Sequence, residues 1–183
     1  MGTLRLTGGT LRSRRVSAPS GRAVRPTPAR VKEALFSILG NRIDGARVLD
    51  LFAGSGALGF EALSRGAAHV TFVESHRRTA AGLAQTAVRL GLAECCTVIA
   101  APAERTPLRP GERYDLVFAD PPYAQPYPAG LFGRLRECGA LDRESLVIYE
   151  HSSSAAAPDD ARFTVVRTAR YGAVALSFLQ AAA

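Results

Sequence analysis

Several features are scarce in this chain of 183 residues, and each shortage argues against a class of protein. No run of about 18 apolar residues occurs, so no membrane-spanning helix is predicted. No apolar segment follows the charged N-terminus, so no secretory signal is expected. The three cysteines, Cys95, Cys96 and Cys138, have a spacing that fits neither a zinc site nor a disulfide framework. These shortages predict a protein of the reducing cytoplasm that binds no metal and no membrane.

Acidic residues are missing from the N-terminal segment. The first acid is Glu33, and eight of the 23 basic residues precede it. The other 15 are balanced by all 16 acidic residues, so the net charge of +7 originates in this segment. Unopposed positive charge of this extent predicts binding to nucleic-acid phosphates. An acidic membrane surface fits less well, because the segment has no amphipathic helix with large apolar residues. The basic residues are Arg5, Arg12, Arg14, Arg15, Arg22, Arg25, Arg30 and Lys32.

The same segment predicts local structure. Residues 3–7 and 14–18 alternate polar and apolar side chains around a pair of glycines, which is typical of a small hairpin. Further on, Thr27 suits a helix N-cap, with Pro28 at the first helical position. An apolar stripe at helical spacing follows and predicts a helix. We therefore regard residues 1–40 as a basic, RNA-binding hairpin and helix extension.

The remaining residues, 41–183, predict a single catalytic domain in which short apolar strands alternate with helices. This alternation favours a doubly wound α/β fold with a mostly parallel sheet. The last two strands are joined by a short turn, which indicates an antiparallel edge. Seven strands are predicted, at 47–52, 68–73, 96–100, 114–119, 145–149, 162–168 and 173–179. Helices are predicted at 57–65, 76–90 and 128–137.

A glycine-rich loop joins the first predicted strand of the domain to its helix. Asp50 stands at the strand tip, and the loop continues through Gly54 to Gly59. Glu74 ends the next strand, twenty residues beyond Gly54, where a carboxylate would meet the ribose hydroxyls of a nucleoside cofactor. Asp50 would repel a pyrophosphate but attract an ammonium group, directly or through water. The loop therefore favours S-adenosylmethionine over NAD.

The tetrapeptide Asp120-Pro121-Pro122-Tyr123 follows another predicted strand. The Asp120 carboxylate and the carbonyl groups of the rigid proline pair can accept hydrogen bonds from a planar exocyclic amine. Tyr123 can stack on a flat ring. In an open parallel sheet this tetrapeptide and the glycine loop emerge at the same edge. Together they predict methyl transfer to an amino group of a nucleobase, which Asp120 would orient and Tyr123 would clamp.

Nearly the whole chain resembles one known family. The resemblance is to the bacterial methyltransferases that modify the N2 amine of a guanine in 16S ribosomal RNA. It is carried by five stretches: Gly8-Gly9 with the following arginines; Arg25-Pro26-Thr27 with Arg30, Glu33 and Leu35-Phe36; Leu49 to Gly59 with Glu61 to Ala67; Val73-Glu74; and Asp120 to Tyr123. The methyltransferase motifs occur in many amino-methylating enzymes, and the N-terminal stretches narrow the resemblance to this family.

The resemblance implies a Rossmann-like class I methyltransferase fold that uses S-adenosyl-L-methionine. It further implies a monomer that acts in the cytoplasm on 16S ribosomal RNA, in an assembling small subunit. The catalytic residues would be Asp120, Pro121, Pro122 and Tyr123. The cofactor would be bound by Asp50, Phe52, Gly54, Ser55, Gly56, Gly59, Glu74 and Glu104. The RNA would be bound by Arg5, Arg12, Arg14, Arg15, Arg25 and Arg30.

The chain departs from the family pattern in two places. Pro28 and Ala29 stand where the family usually has a threonine and an acid, which leaves the helix start less acidic. Pro102 stands where such enzymes carry an acid for the adenine amino group, so Glu104 is the nearest substitute.

Three other functions fit part of the sequence. A DNA or RNA adenine-N6 or cytosine-N4 methyltransferase would use the same tetrapeptide, but such DNA enzymes usually need a further sequence-reading domain. An NAD oxidoreductase would leave Asp50 and the tetrapeptide without a role. A non-catalytic RNA-binding protein would have no use for the glycine loop and the tetrapeptide together.

Overall fold

A seven-stranded sheet organises the molecule, and a separate two-stranded hairpin lies beside it. The computed structural model describes residues 3–17, 28–109, 111–122 and 127–182. The strands are β1 (Thr3–Arg5), β2 (Arg15–Ser17), β3 (Arg47–Leu51), β4 (His69–Val73), β5 (Cys96–Ile99), β6 (Leu116–Ala119), β7 (Leu146–Ser152), β8 (Phe163–Tyr171) and β9 (Val174–Ala181). The α-helices are α1 (Ala29–Leu39), α2 (Ala57–Ser64), α3 (Arg77–Leu90) and α4 (Ala129–Glu137). Short 3₁₀ turns occur at Gly40–Ile43, Ala93–Cys95 and Ala103–Arg105.

The strand order in the large sheet is β5-β4-β3-β6-β7-β9-β8. Strands β3 to β7 are mutually parallel, and β9 runs antiparallel to both β7 and β8. The predicted fold class is therefore confirmed: a Rossmann-like, mostly parallel seven-stranded sheet with an antiparallel edge. The chain reverses its direction of travel across the sheet between β3 and β6, and ligands of such folds bind beyond the strand ends at this point.

The strands are apolar on both sides because helices cover both faces of the sheet. The core on one face lies against the first three helices and includes Leu35, Phe36, Phe60, Phe72, Leu83 and Phe118. The core on the other face lies against α4 and includes Leu49, Val117, Phe132, Leu135 and Tyr149. Because both faces of the strands are packed, the position of each strand end is fixed, and so is the position of the side chain that follows it.

The N-terminal hairpin is docked onto α2. Leu6 and Val16 are buried and belong to the same core as the helices. The Glu61 carboxylate, on α2, accepts hydrogen bonds from the backbone N–H groups of Thr7 and Gly8, each at 2.8 Å. The two parts into which we divide the sequence thus share one core, and the division at residue 40 remains a functional hypothesis.

Most predicted boundaries lie within three residues of the observed ones. Pro28 is the N-cap of α1 rather than its first helical residue, because its ψ of 143° is extended. The predicted cap Thr27 lies outside the described residues. Strand β7 extends three residues further than predicted, since β9 pairs with it as far as Ser152.

No helix within the described ranges is long and apolar enough to cross a bilayer. Those ranges also contain no group of three or more His, Cys, Asp or Glu side chains that could hold a metal ion. Cys95 and Cys96 are half-buried and Cys138 is exposed, and all three are free thiols.

Candidate active site at the carboxyl edge of the sheet

Three parallel strands, β3, β4 and β6, end at one edge of the sheet, and β7 continues beside them; together they define the site. Leu51 pairs with Val73 on one side and with Ala119 on the other, and Ala119 pairs with Tyr149. Because these strands are parallel, the residues that come next emerge side by side. Those residues are Phe52, Glu74, Asp120 and Glu150.

Glycines shape the loop between β3 and α2. Gly54 and Gly56 have φ values of 53° and 75°, which glycine adopts without steric cost. A Cβ atom on Gly59 would clash with the ring of Phe72, so close packing of α2 on the sheet requires glycine there. A Cβ atom on Gly54 would meet only the carbonyl oxygen of Phe52, at 3.8 Å. The loop is therefore tightly packed beneath α2 and open at Gly54, where a ligand can approach the backbone.

Phe52 and Ser55 complete this loop, and both are half-buried. Phe52 has a φ of 59°, a left-handed conformation that costs a non-glycine residue about 1–3 kcal/mol. Its ring packs against the core on the α4 face, which compensates for that cost. Backbone strain of this kind is concentrated at ligand sites, so it supports the predicted contact of Phe52 with the cofactor.

Asp50 lies beneath the loop and is only 3% exposed. Its Oδ2 accepts a hydrogen bond from the Gly59 backbone N–H at 2.9 Å, which ties the tip of β3 to the first turn of α2. Burial raises the pKa of this carboxyl to about 8, against the opposing effect of the Gly59 hydrogen bond. Glu74 nearby raises the pKa further. A cation at the loop would reverse this shift, and the role of Asp50 toward an ammonium group stays a prediction.

Glu74 connects the glycine loop to the start of α3. Its Oε2 accepts from the Gly54 N–H at 2.9 Å, and its Oε1 accepts from the His76 N–H at 2.7 Å. The side chain is largely buried, so these backbone donors hold it at the strand end. Oε1 also accepts from the Ser75 hydroxyl at 3.4 Å, whereas Oε2 retains a second lone pair. Glu74 can therefore still accept from a ribose hydroxyl, as the sequence predicts.

The residues around the loop fit S-adenosylmethionine. Asp50 and Glu74 place two carboxyl groups next to the half-buried backbone of Gly54, which suits an ammonium group and a ribose. A pyrophosphate at the same place would face the negative charge of Glu74 and would gain no counter-charge from Asp50. The observed geometry thus favours the methyl donor over a dinucleotide.

Asp120 follows β6 and is half-buried. No described residue donates a hydrogen bond to its carboxylate. Burial raises its pKa well above the usual value, and the nearby carboxylates of Glu150 and Asp50 raise it further. Pro121 is buried and Pro122 is exposed, while Tyr123 lies outside the described residues and its stacking role stays a prediction. Asp120 is thus a hydrogen-bond acceptor that lacks a described donor, as an amine-binding role requires.

A cavity of about 300 Å³ opens beside the proline pair. This volume is at the lower end of the range for small-molecule pockets, about 300–1,000 Å³. The rings of Tyr149 and His151 stack at its base, with centroids 5.3 Å apart and planes inclined by 17°. Burial raises the pKa of the Tyr127 hydroxyl, and the nearby carboxylate of Asp160 raises it further. The lining comprises Pro121, Pro122, Tyr127, residues 149–152 and residues 155–159.

Sequence reasoning missed Glu150, which borders this cavity and influences Asp120. A signal was present, since Glu150 comes directly after the predicted strand 145–149, as Asp120 does after 114–119. Tyr127 was also missed, and no pattern in the sequence marks it.

The other predicted site residues lie on the surface. Glu104 is exposed in the 3₁₀ turn after β5, and Pro102 is the exposed N-cap of that turn. The arginines Arg5, Arg12, Arg14, Arg15 and Arg30 are all exposed. Arg25 lies outside the described residues. The roles of these side chains stay predictions.

The sheet order, the glycine loop and the strand-end acids define a Rossmann-like methyltransferase. The chain belongs to the family described as Conserved hypothetical protein 95, whose model matches residues 4–180. The family inferred from the sequence is therefore confirmed.

Relatives and solved structures agree with this family. The chain is 36% identical over 149 residues to Ribosomal RNA small subunit methyltransferase D of Escherichia coli K12, covering 81% of this chain and 75% of that protein. The solved structure of the Escherichia coli protein yhhF is similar with a TM-score of 0.87, at 35% identity over 98% of both chains. A more distant RNA methyltransferase from Salinibacter ruber was solved in complex with S-adenosyl-L-homocysteine. It has a TM-score of 0.65 at 17% identity over 84% of this chain and 91% of that one, which shows a shared fold alone.

Proposed function

We propose that this protein transfers a methyl group from S-adenosylmethionine to the exocyclic N2 amine of a guanine in small-subunit ribosomal RNA. The observation that carries the proposal is Asp120, an acceptor without a described donor, beside the glycine loop. The relative named for small-subunit ribosomal RNA supports the substrate class. The N-terminal charge favours a nucleic acid as substrate.

The residues that would hold the cofactor surround the β3–α2 loop. The Salinibacter ruber complex, with the same fold and the demethylated cofactor, supports the choice of cofactor. When bound, S-adenosylmethionine supplies a methyl group on a sulfonium that leaves as a neutral thioether. Glu74 would accept from the ribose and Asp50 would compensate the ammonium charge, while Gly54 would leave room for the ligand. Glu104 is proposed to accept from the adenine amino group.

Asp120 would prepare the amine for reaction. The nitrogen of guanine N2 is a poor nucleophile because its lone pair is delocalised into the ring. Hydrogen bonds from the amine to Asp120 and to the Pro121 carbonyl would favour a pyramidal nitrogen whose lone pair is free. As the N–C bond forms, the nitrogen becomes positive, and the Asp120 carboxylate stabilises that charge before a proton leaves. Tyr123 is proposed to clamp the ring, and such positioning supplies up to about 7–11 kcal/mol in ideal cases.

The RNA would contact the docked hairpin as well as the sheet edge. The hairpin binds the C-terminal half of α2, whereas the glycine loop precedes its first residue, Ala57. These contacts are made by Glu61 and Ser64, which lie about 6–11 Å along the helix axis from Ala57. The target base must leave its stack to reach Asp120, which is easiest in an RNA loop. We propose that a monomer acts in the cytoplasm on 16S RNA in an assembling subunit.

One experiment tests this function. The protein is incubated with labelled S-adenosylmethionine and with naked 16S RNA, assembling small subunits, or duplex DNA, and the modified base is identified by mass spectrometry. We expect N2-methylguanine at one RNA position and no product on DNA. Methylated adenine or cytosine would overturn the guanine assignment, and labelled DNA would overturn the substrate class.

A further inference from the structure

The cavity beside the proline pair lies on the α4 side of the sheet edge. Tyr149 lines it and belongs to the core on that side. The loop after β7 contributes small side chains to the lining, from Ala155, Ala156 and Ala157. Together with the two prolines, these groups form a mainly apolar wall, which suits a flat ring. The cavity therefore has the chemistry of a binding site for a ring system.

Asp120 stands between this cavity and the cofactor loop. Besides burial and Glu150, the Asp50 carboxylate beneath the glycine loop raises the pKa of Asp120. Burial raises the pKa of the Tyr149 hydroxyl, and the nearby Asp120 carboxylate raises it further. Asp120 is thus close to a group of the cofactor loop and to a group of the cavity wall. An amine bound to Asp120 would have the methyl donor on one side, and the ring that carries the amine would have room in the cavity.

The Tyr149 hydroxyl is a polar group of the cavity wall. The side chain is only 6% exposed, and its ring packs against Tyr127, Phe132 and His151. Its hydroxyl, in contrast, forms no hydrogen bond with a described residue. A buried hydroxyl without a partner is costly, so such a group beside a cavity points to a ligand. Because the pKa is raised, the hydroxyl keeps its proton at neutral pH and can donate it in a hydrogen bond.

Guanine has one acceptor beside its N2 amine. The amine is attached to the ring carbon between N1–H, which is a donor, and N3, which is an acceptor. A hydroxyl donor next to Asp120 therefore matches N3. We propose that the cavity receives the ring of the target guanine and that the Tyr149 hydroxyl donates a hydrogen bond to N3 while Asp120 accepts from the amine. This inference rests on the proposed function and adds a residue that holds the base.

The base analogue 3-deazaguanine tests this hydrogen bond, because it replaces N3 by a C–H group and keeps the amine. The measured quantity is the ratio of kcat/KM for guanine to that for 3-deazaguanine, at the target position of the RNA or assembling subunit that the wild type methylates. In Tyr149→Phe the hydrogen bond is missing for both bases, so the ratio should be lower than in the wild type by about 5- to 100-fold. Comparing the two proteins cancels any difference in intrinsic reactivity between the two amines.

The matched control is Tyr171→Phe, which removes a hydroxyl at the end of β8, outside the cavity lining. Its ratio should equal that of the wild type. A purely structural role of Tyr149 would lower both kcat/KM values by the same factor and leave the ratio unchanged. That result would overturn the role of Tyr149 and leave the proposed function intact.

Stability gives a second test that needs no RNA. Because no described residue bonds to the Tyr149 hydroxyl, Tyr149→Phe should unfold at a urea concentration equal to or above that of the wild type and bind S-adenosylmethionine with unchanged affinity. A lower urea midpoint would show that the hydroxyl serves the fold, which overturns its role toward the base. Binding of S-adenosylmethionine by the wild type without methylation of the guanine RNA overturns the proposed function, and the role of Tyr149 with it.

Discussion

Glu61 and Asp50 are both buried acids in contact with the α2 region, but they have very different surroundings. Glu61 is fully buried and accepts four hydrogen bonds, from the N–H and hydroxyl of Thr7, the N–H of Gly8 and the Nε of Arg65, each at 2.8 Å. Lys32 adds an ion pair at 3.7 Å. Among the described residues, only the Gly59 N–H donates a hydrogen bond to Asp50.

The pKa values follow these surroundings. Burial alone would raise the pKa of Glu61, but the hydrogen bonds from Thr7 and Arg65 and the charge of Lys32 lower it overall. At Asp50 burial prevails and raises the pKa to about 8. A carboxylate whose acceptor sites are filled by the protein serves the fold, and one with few donors is available to a ligand. Asp120, which has no described donor, is the extreme of this series.

The largest expected effect is on catalysis, from Asp120→Ala. Removing the acceptor should lower kcat by at least about 100- to 1,000-fold, since it acts on the charge that develops at the amine. Affinity for S-adenosylmethionine should stay nearly unchanged in calorimetry, because Asp120 is assigned to the base. The control Glu94→Ala, at an exposed position, should keep wild-type activity. Loss of cofactor binding in Asp120→Ala would show that this acid belongs to the cofactor site.

The next largest effect concerns stability, from Glu61→Ala. The variant leaves the buried ammonium of Lys32 without its counter-charge and two backbone N–H groups without their acceptor. Breaking one half of a buried ion pair costs about 3–5 kcal/mol, so the urea midpoint should fall sharply. Glu33→Gln, an exposed neighbour on α1, should change stability by less than about 0.5 kcal/mol. Equal stability of the two variants would refute the structural role of Glu61.

Asp50→Asn tests the buried acid that has few hydrogen-bond donors, in contrast to Glu61. The pKa of Asp50 rises from 3.8 to about 8 on folding, so the folded state becomes less favourable as pH rises through this interval. Asparagine removes the titrating group and can still accept from Gly59. Without cofactor, the stability of the variant relative to wild type should therefore increase between about pH 4 and pH 8, by a few kcal/mol, and level off above.

Urea unfolding at several pH values measures this difference. Calorimetry should show the reverse for S-adenosylmethionine, whose affinity the variant lowers, because the negative charge opposite the ammonium is lost. The exposed control Asp44→Asn should show no such dependence on pH. A stability difference that does not vary with pH would contradict the raised pKa of Asp50.

The sequence predicted those site residues whose role depends on their position directly after a strand. Strand-end acids Asp50, Glu74 and Asp120 could be found because each follows an apolar run, and parallel strands bring such ends together. Glu150 obeys the same rule but lies within a longer strand than predicted, since pairing with β9 extends it. The docking of Thr7 onto Glu61 was not predictable, because the partners are 54 residues apart and no periodicity links them.

The smallest expected effect concerns the hairpin that Glu61 holds in place. Arg12, Arg14 and Arg15 are exposed on it, and replacing all three by alanine should weaken RNA binding. Each lost phosphate contact removes about 0.7–0.9 units from the slope of log K against log salt, so the slope should flatten by up to about 2–3 units. Filter binding at several salt concentrations, with structured 16S RNA, measures it.

A matched control distinguishes RNA binding by the hairpin arginines from an effect of net charge alone. Arg143, Arg167 and Arg170 are exposed outside the N-terminal segment, and their replacement by alanine removes the same charge. We expect their effect on the slope to be smaller, because the acid-free charge is confined to the extension. An unchanged slope in the hairpin variant would mean that the hairpin docked by Glu61 serves the fold alone. An equal flattening in the control would mean that RNA contacts the charged surface without preference for the hairpin.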